Sequence, residues 1–291
     1  MRFGFSLNAF RQHELADAID HVASAGYDGV ELLLDEPHLV PGQTSQETID
    51  QLRAQLADHN LTISNCNAFM LHAIERSDRG KRVEYARPRE SFHHPSFIEP
   101  IESDRRARIE HTRRALEMAD TLGAPSISIP PGGPLPQAMD RTTAMELFIE
   151  GVQAVTPTAE RLGIDLLIEP EPNLLIESAE KLLACLDQID SPAVGCNFDA
   201  GHFFVAGGDP TALIGPLAPY TPHYHLEDIP ADRTHEHTQL GAGVLDIDGF
   251  LSALKERDYD GFVTVELYPY ENTAVETATT AQEYLQEHGW M

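Results

Sequence analysis

Cysteine is scarce in this 291-residue chain, which has only Cys66, Cys185 and Cys196 and no CxxC spacing. An odd, sparse set argues against a disulfide framework, and no neighbouring residues single out a nucleophile, so buried thiols are expected. Positive charge is also scarce. Twenty Lys and Arg face 47 Asp and Glu, a formal charge of −27, and lysine occurs only at Lys81, Lys181 and Lys255. Such a surface repels phosphate backbones and makes nucleic acid a poor partner. It also suits a salt-rich cytoplasm, where screening shortens repulsion, so a halophilic source fits and a local basic patch can persist. No apolar run approaches bilayer length, and MRFGFSLNAF lacks the basic start and long apolar centre of a signal peptide. No membrane partner is expected, and cytoplasmic residence follows by default.

A hydrophobic fraction of 42% indicates a folded globular protein. The chain alternates short β-rich runs with longer amphipathic segments. Expected strands are Phe3–Leu7, Gly29–Leu33, Leu61–Cys66, Ser126–Pro130, DLLIEP, AVGCNFD, PHYHL and FVTVEL. Helical patterns follow at about Gln12–Ala25, Ser45–His59, Asp104–Leu122, Thr142–Leu162, Ala179–Gln188, Thr211–Leu217, Ile247–Arg257 and Thr273–Glu287. AGYDGVEL, LGAPSISI, LGIDLLIE and RDYDGFVTVEL each place Gly where a helix stops before a strand. Eight such repeats describe an α/β fold, a (β/α)8 TIM barrel, as a single domain over 1–291 with its active site at the C-terminal strand ends. A doubly wound sheet is the alternative, but no GxGxxG follows the first strand, and GAG at Gly241–Gly243 reads as a turn.

The strand ends carry the chemistry. VGCNFDAGHFFVAG ends an apolar run in Asp199, with His202 three residues on, IDLLIEPEPN ends one in Glu169 and Glu171, and GFVTVELY ends one in Glu266. In HYHLED, His223 and His225 alternate about Tyr224 and share one face of a strand. A lone acid at a strand end is more often a helix cap or a solvated residue. Four successive strand ends bearing ligand types point instead to one divalent ion, Mn, Mg, Co or Zn. Glu171, between two prolines, is expected to face solvent, and His223 to stand behind the ligands.

These residues resemble the sugar isomerase and epimerase TIM barrels, related to xylose isomerase and to endonuclease IV. The distinctive pieces are IEPEP, NFDAGHFFVAG, HYHLED, HTQLGAGVLDIDGF and GFVTVEL, in the family's order. The resemblance implies a single divalent metal held by Glu169, Asp199, His225 and Glu266, with His202 on the substrate and Arg233 against a substrate oxygen at a spacing that departs from the family's. His72 matches the first histidine of endonuclease IV and is expected on the substrate side. The trinuclear site of that enzyme also needs a histidine where this chain has Pro131, and an Asp-x-His pair where it has His235-Glu236-His237. These departures and the acidic surface argue against DNA cleavage.

The expected chemistry is proton transfer on a small-molecule carbohydrate, a sugar, keto-sugar or cyclitol, through a metal-stabilised enediolate, with Glu169 and Glu266 removing and returning the proton. Return to the same carbon gives epimerisation, and return to the adjacent carbon gives isomerisation. An insertion at about 74–103, carrying Arg76, Arg79, Arg82, Arg87, Arg89, His93, His94 and Phe97, is long for a βα loop and is expected to be a lid over the substrate, with a partner-binding loop as the alternative. Its FHHPSF segment resembles one in barrels acting on glycosides and cyclitols, which keeps open a lyase or C-glycoside-cleaving variant. Homo-oligomerisation or a second subunit is compatible with these readings, as is a metal-dependent scaffold that has lost catalysis.

Overall fold

A computed structural model describes residues 1–69 and 94–291 of the chain. Eight parallel strands close into a barrel in chain order. They are β1 Arg2–Ser6, β2 Gly29–Leu33, β3 Thr62–Asn67, β4 Ser126–Ile129, β5 Asp165–Ile168, β6 Val194–Asp199, β7 His223–Leu226 and β8 Phe262–Val265. The helices are α1 Leu15–Ala25, α2 Gln46–Asp58, α3 Glu102–Leu122, α4 Arg141–Leu162, α5 Ala179–Ile189, α6 Ala200–Val205, α7 Pro210–Leu217, α8 Ile247–Lys255 and α9 Ala274–Glu287. None of the described helices is long and apolar enough to cross a membrane.

Local chemistry sets these boundaries. Side chains of Ser45, Asp140 and Ser178 accept from backbone N–H groups of the first turns of α2, α4 and α5, satisfying donors that a helix start leaves unpaired. Gly26, Gly123 and Gly163 end α1, α3 and α4 in the left-handed region at φ of 91°, 75° and 68°. Glycine was also expected to end the helix before the last strand, but the left-handed residue there is Asp258, at φ 55°. Asn and Asp tolerate that region because their short side chains bond locally.

The strands have two differently filled faces. Phe5, Val30, Leu32, Ile127, Ile129, Leu166, Ile168, Phe198, Tyr224, Val263 and Val265 join the hydrophobic core. The alternating set includes Ser6, Glu31, Asn65, Ser126, Ser128, Asn197, His223, His225 and Thr264, all buried and joined by hydrogen bonds. A barrel interior is usually filled by branched apolar side chains. Here it is polar, and burial of such groups is tolerated only because they bond one another.

His72 and residues 74–93 of the insertion, with its five arginines and His93, lie outside the described residues. The rest departs from the expected lid. His94 Nδ1 lies 2.5 Å from Glu99 Oε1, which also accepts from Ser96 N at 2.9 Å. Phe97 packs edge-on against Phe148 of α4, with ring centroids 5.7 Å apart, and under the Arg108 guanidinium of α3 at 5.4 Å. Gly151 makes the space, since a Cβ there would come within 2.5 Å of the Phe97 ring. His94 and Phe97 therefore belong to the packed helical layer, where the apolar ring is removed from water.

Candidate metal centre

Glu169 follows β5 by one residue, Asp199 closes β6, His225 lies within β7 and Glu266 follows β8 by one. The Glu169 N–H still bonds Ile129 O at 3.0 Å and that of Glu266 bonds Leu226 O at 3.1 Å, so the ladder fixes both backbones. All four residues are at most 4% exposed.

Each side chain has one atom tied back and another turned to a shared centre. Glu169 Oε2 accepts from Asn197 Nδ2 at 2.7 Å, while Oε1 lies 3.5 Å from His225 Nδ1. Glu266 Oε1 accepts from Asn8 Nδ2 at 2.7 Å, while Oε2 lies 3.6 Å from the same nitrogen. Asp199 Oδ1 caps α6 by accepting from His202 N at 2.6 Å, while Oδ2 lies 3.8 Å from His225 Nδ1. On His225, Nε2 meets Glu31 Oε2 at 2.8 Å, while Nδ1, which also lies 3.2 Å from Asn197 Nδ2, is turned to the centre. Asp199 Oδ2 is buried with no hydrogen-bond donor among the described residues.

The set fits a divalent ion. Its facing atoms all lie within 4.8 Å of one another. Ligands about 2.1 Å from a tetrahedral ion stand about 3.4 Å apart, close to the 3.5–3.8 Å between His225 Nδ1 and the three carboxylates. Three oxygens and one imidazole nitrogen are donors for Mn, Mg, Co or Zn.

Electrostatics agree. Burial, with Asp199 adding to it, raises the proton affinity of Glu169, and burial beside Glu169, Glu31 and Asp199 lifts that of Glu266 well above the carboxylate range. Glu227, buried against Asp199, is also held well above it. Burial opposes charge on His225, yet Glu31, Glu266 and Glu169 outweigh it and raise its proton affinity. Glu31 is the exception among the carboxylates. Its burial is overcome by His225 and by hydrogen bonding, and its pKa falls to about 2. Negative charge is thus in excess around one imidazole, a field that a divalent cation neutralises.

His202 lines the cavity above the centre. Its Nδ1 bonds Pro170 O at 2.9 Å, and its ring lies 4.7 Å from that of His235. Glu171, expected in solvent, is buried in the cavity wall, because its N–H bonds Ile176 O and its carbonyl accepts from Leu174 N, folding the loop inward. Arg233 is not brought to this cavity. Held at φ 59°, it donates to Phe204 O at 2.8 Å and stacks on the Phe204 ring at 4.0 Å. His223 stands behind these four side chains, with Nδ1 at 2.6 Å from Asn197 Oδ1 and Nε2 at 2.8 Å from the Thr264 hydroxyl.

Several contributors were not expected from sequence. Asn8, Asn197 and Glu31 supply the tethers, Tyr268, Asn67, Arg11 and Glu271 line the mouth, and His237 is buried with Nδ1 at 2.9 Å from Glu266 O. The signal for Glu31 was a lone carboxylate inside the otherwise apolar run GVELL.

A closed barrel with acids and a histidine at successive strand ends defines a class, and the chain belongs to the xylose isomerase-like TIM barrel family, whose model matches residues 19–290. A putative hydroxypyruvate isomerase of Streptomyces coelicolor is 25% identical over 95% of this chain and 94% of its own. A solved D-tagatose 3-epimerase-like protein superposes with a TM-score of 0.79 at 23% identity, covering 99% of this chain and 97% of its own. The IolI protein with a bound zinc atom gives 0.72 at 19%, covering 98% and 97%. At such identities the structural likenesses speak for the fold alone.

Proposed function

We propose that this chain is a divalent-metal-dependent isomerase or epimerase of a sugar, keto-sugar or cyclitol. The observation that carries the reading is the tethering pattern: four side chains, each with one atom held by the barrel and another turned to a common point. Zinc in the IolI structure and the epimerase and isomerase names of the relatives support it. A divalent ion held by Glu169, Asp199, His225 and Glu266 would supply Lewis-acid stabilisation of the negative charge that develops on substrate oxygens as a C–H proton leaves.

The proton work falls to the chain. Glu169 and Glu266 both line the cavity, and both have proton affinities raised by burial, which suits groups that must take and return a proton near neutral pH. One carboxylate removes the proton next to the carbonyl and the other delivers one to the same or the adjacent carbon. Asn197 and Asn8 hold these glutamates, so little reorientation is needed at the moment of transfer. His202, with Nδ1 committed to Pro170 O, presents its ring to the cavity as a substrate contact.

The test is incubation of metal-loaded protein in D₂O, at high and low salt, with ketoses, aldoses, inososes and 3-keto-glycosides, followed by NMR. Exchange of a substrate C–H that is lost in Glu169→Gln and Glu266→Gln is the expected result. Cleavage of a 3-keto-glycoside without such exchange would favour the lyase reading. Bound metal with no reaction across the panel would overturn the assignment.

A further inference from the structure

Glu31 is a carboxylate near the centre that does not face it. It lies in the middle of β2, fully buried, and every acceptor position in use is filled by a defined donor. Oε1 accepts from the Ser6 hydroxyl at 2.7 Å, and Oε2 accepts from Asn65 Nδ2 at 2.8 Å and from His225 Nε2 at 2.8 Å. These partners come from β1, β3 and β7, so Glu31 spans the barrel interior to reach the imidazole. The backbone is adjusted at this point. Pairing of β2 with β3 runs Val30 to Ile63 and then jumps from Glu31 to Asn65, leaving Ser64 as an extra residue. Bulges recur where a strand must re-aim a side chain, and this one sets Asn65 against the Glu31 carboxylate.

We propose that Glu31 is a positioning residue for the metal centre, holding the His225 proton on Nε2 so that Nδ1, the acceptor nitrogen 3.2 Å from Asn197 Nδ2, is turned without a proton to the point shared by Glu169, Asp199 and Glu266. This rests on the metal-dependent reading above. A carboxylate can only accept at 2.8 Å, so the imidazole must donate through Nε2. That fixes both which nitrogen is available and the plane of the ring. The opposite ring nitrogen is the one 3.5, 3.6 and 3.8 Å from the facing carboxylate oxygens. The negative charge behind the ring also strengthens Nδ1 as a donor, and partners of this kind typically change metal affinity 10- to 100-fold. The polar filling of the barrel then has a role. It is the scaffold that keeps a buried carboxylate satisfied on its other positions.

Glu31→Gln keeps an acceptor and removes the charge, Glu31→Ala removes both, and Thr156→Val deletes a buried hydroxyl of α4 that bonds Val152 O within its own helix, away from the centre. Dissociation constants for Mn²⁺ and Zn²⁺ are measured by chelator competition on full-length protein, with Asp199→Ala as the non-binding reference and thermal unfolding recorded for each variant. Weakening of roughly 10-fold in Glu31→Gln and roughly 100-fold in Glu31→Ala, with Thr156→Val within twofold of wild type, is expected. In zinc-loaded protein the ¹⁵N spectrum should show the His225 proton on Nε2 in wild type and Glu31→Gln. If Glu31→Ala does not fold, Glu31→Gln decides. Wild-type affinity in Glu31→Gln, or a proton on Nδ1 of His225 in the zinc-loaded wild type, while Asp199→Ala has lost binding, overturns the positioning role and leaves the metal reading standing. Wild-type protein that binds neither ion overturns both.

Discussion

Asp199 performs two tasks that one substitution can separate. Oδ1 caps α6 and Oδ2 faces the centre. Asn caps helices as well as Asp, so Asp199→Asn keeps the cap, whereas Ala forfeits about 0.5–2 kcal/mol. Asn also removes a negative charge whose facing atom lies within 4.8 Å of those of Glu169 and Glu266. At an effective dielectric constant of about 20, one such pair of full charges repels by about 3–4 kcal/mol. Desolvation already penalises the charged forms of Glu169 and Glu266, and Asn also gives up the attraction of His225, 3.8 Å from Oδ2, so a net gain of about 1–3 kcal/mol remains for the metal-free variant. With an unfolding entropy of about 0.6 kcal/mol/K for a chain of this length, Tm should rise by roughly 2–5 °C. Metal at 100 times its Kd adds about 2.7 kcal/mol to the wild type, or roughly 4–5 °C, and nothing to Asp199→Asn. Scanning calorimetry after chelation, with and without Mn²⁺ or Zn²⁺, reads both numbers. A metal-free Asp199→Asn less stable than metal-free wild type, or one that gains the full metal-induced shift, would refute the reasoning.

Glu169→Gln and Glu266→Gln should each reduce substrate C–H exchange in D₂O by several orders of magnitude, and near-normal exchange in either would count against a two-carboxylate mechanism. Phe97→Ala should cost about 3–5 kcal/mol, read by denaturant unfolding, because it empties a buried site between α3 and α4; a loss below 1 kcal/mol would mean that Phe97 is not packed there. The three thiols are buried, with Cys185 pushed up to about 12 and Cys66 and Cys196 higher still by burial. Native protein should therefore resist iodoacetamide at pH 8 until it unfolds, and rapid alkylation of the folded state would contradict their placement.

The fold was legible because two periodicities alternate and because Gly26, Gly123 and Gly163 mark helix ends that only a left-handed residue can make. The strand-end acids were legible because a carboxylate terminating an apolar run is conspicuous. The tethers were not. Strands buried on both faces read as nearly continuous runs, so sequence does not say that Glu31, Asn65 and Asn197 point inward. Helix α6 escaped notice because six residues are too few to show a helical period. Arg233 and Glu171 were misplaced for a shared reason: their positions depend on loop backbone, a left-handed turn at Arg233 and an inward fold held by Ile176 and Leu174 at Glu171, which hydropathy does not record.

Anomalous diffraction from crystals of metal-loaded protein, collected on both sides of the Mn or Zn absorption edge, tests the central claim most directly. The account predicts one strong peak within bonding distance of Glu169, Asp199, His225 and Glu266 together. Strong peaks elsewhere, with none among these four side chains, would contradict it.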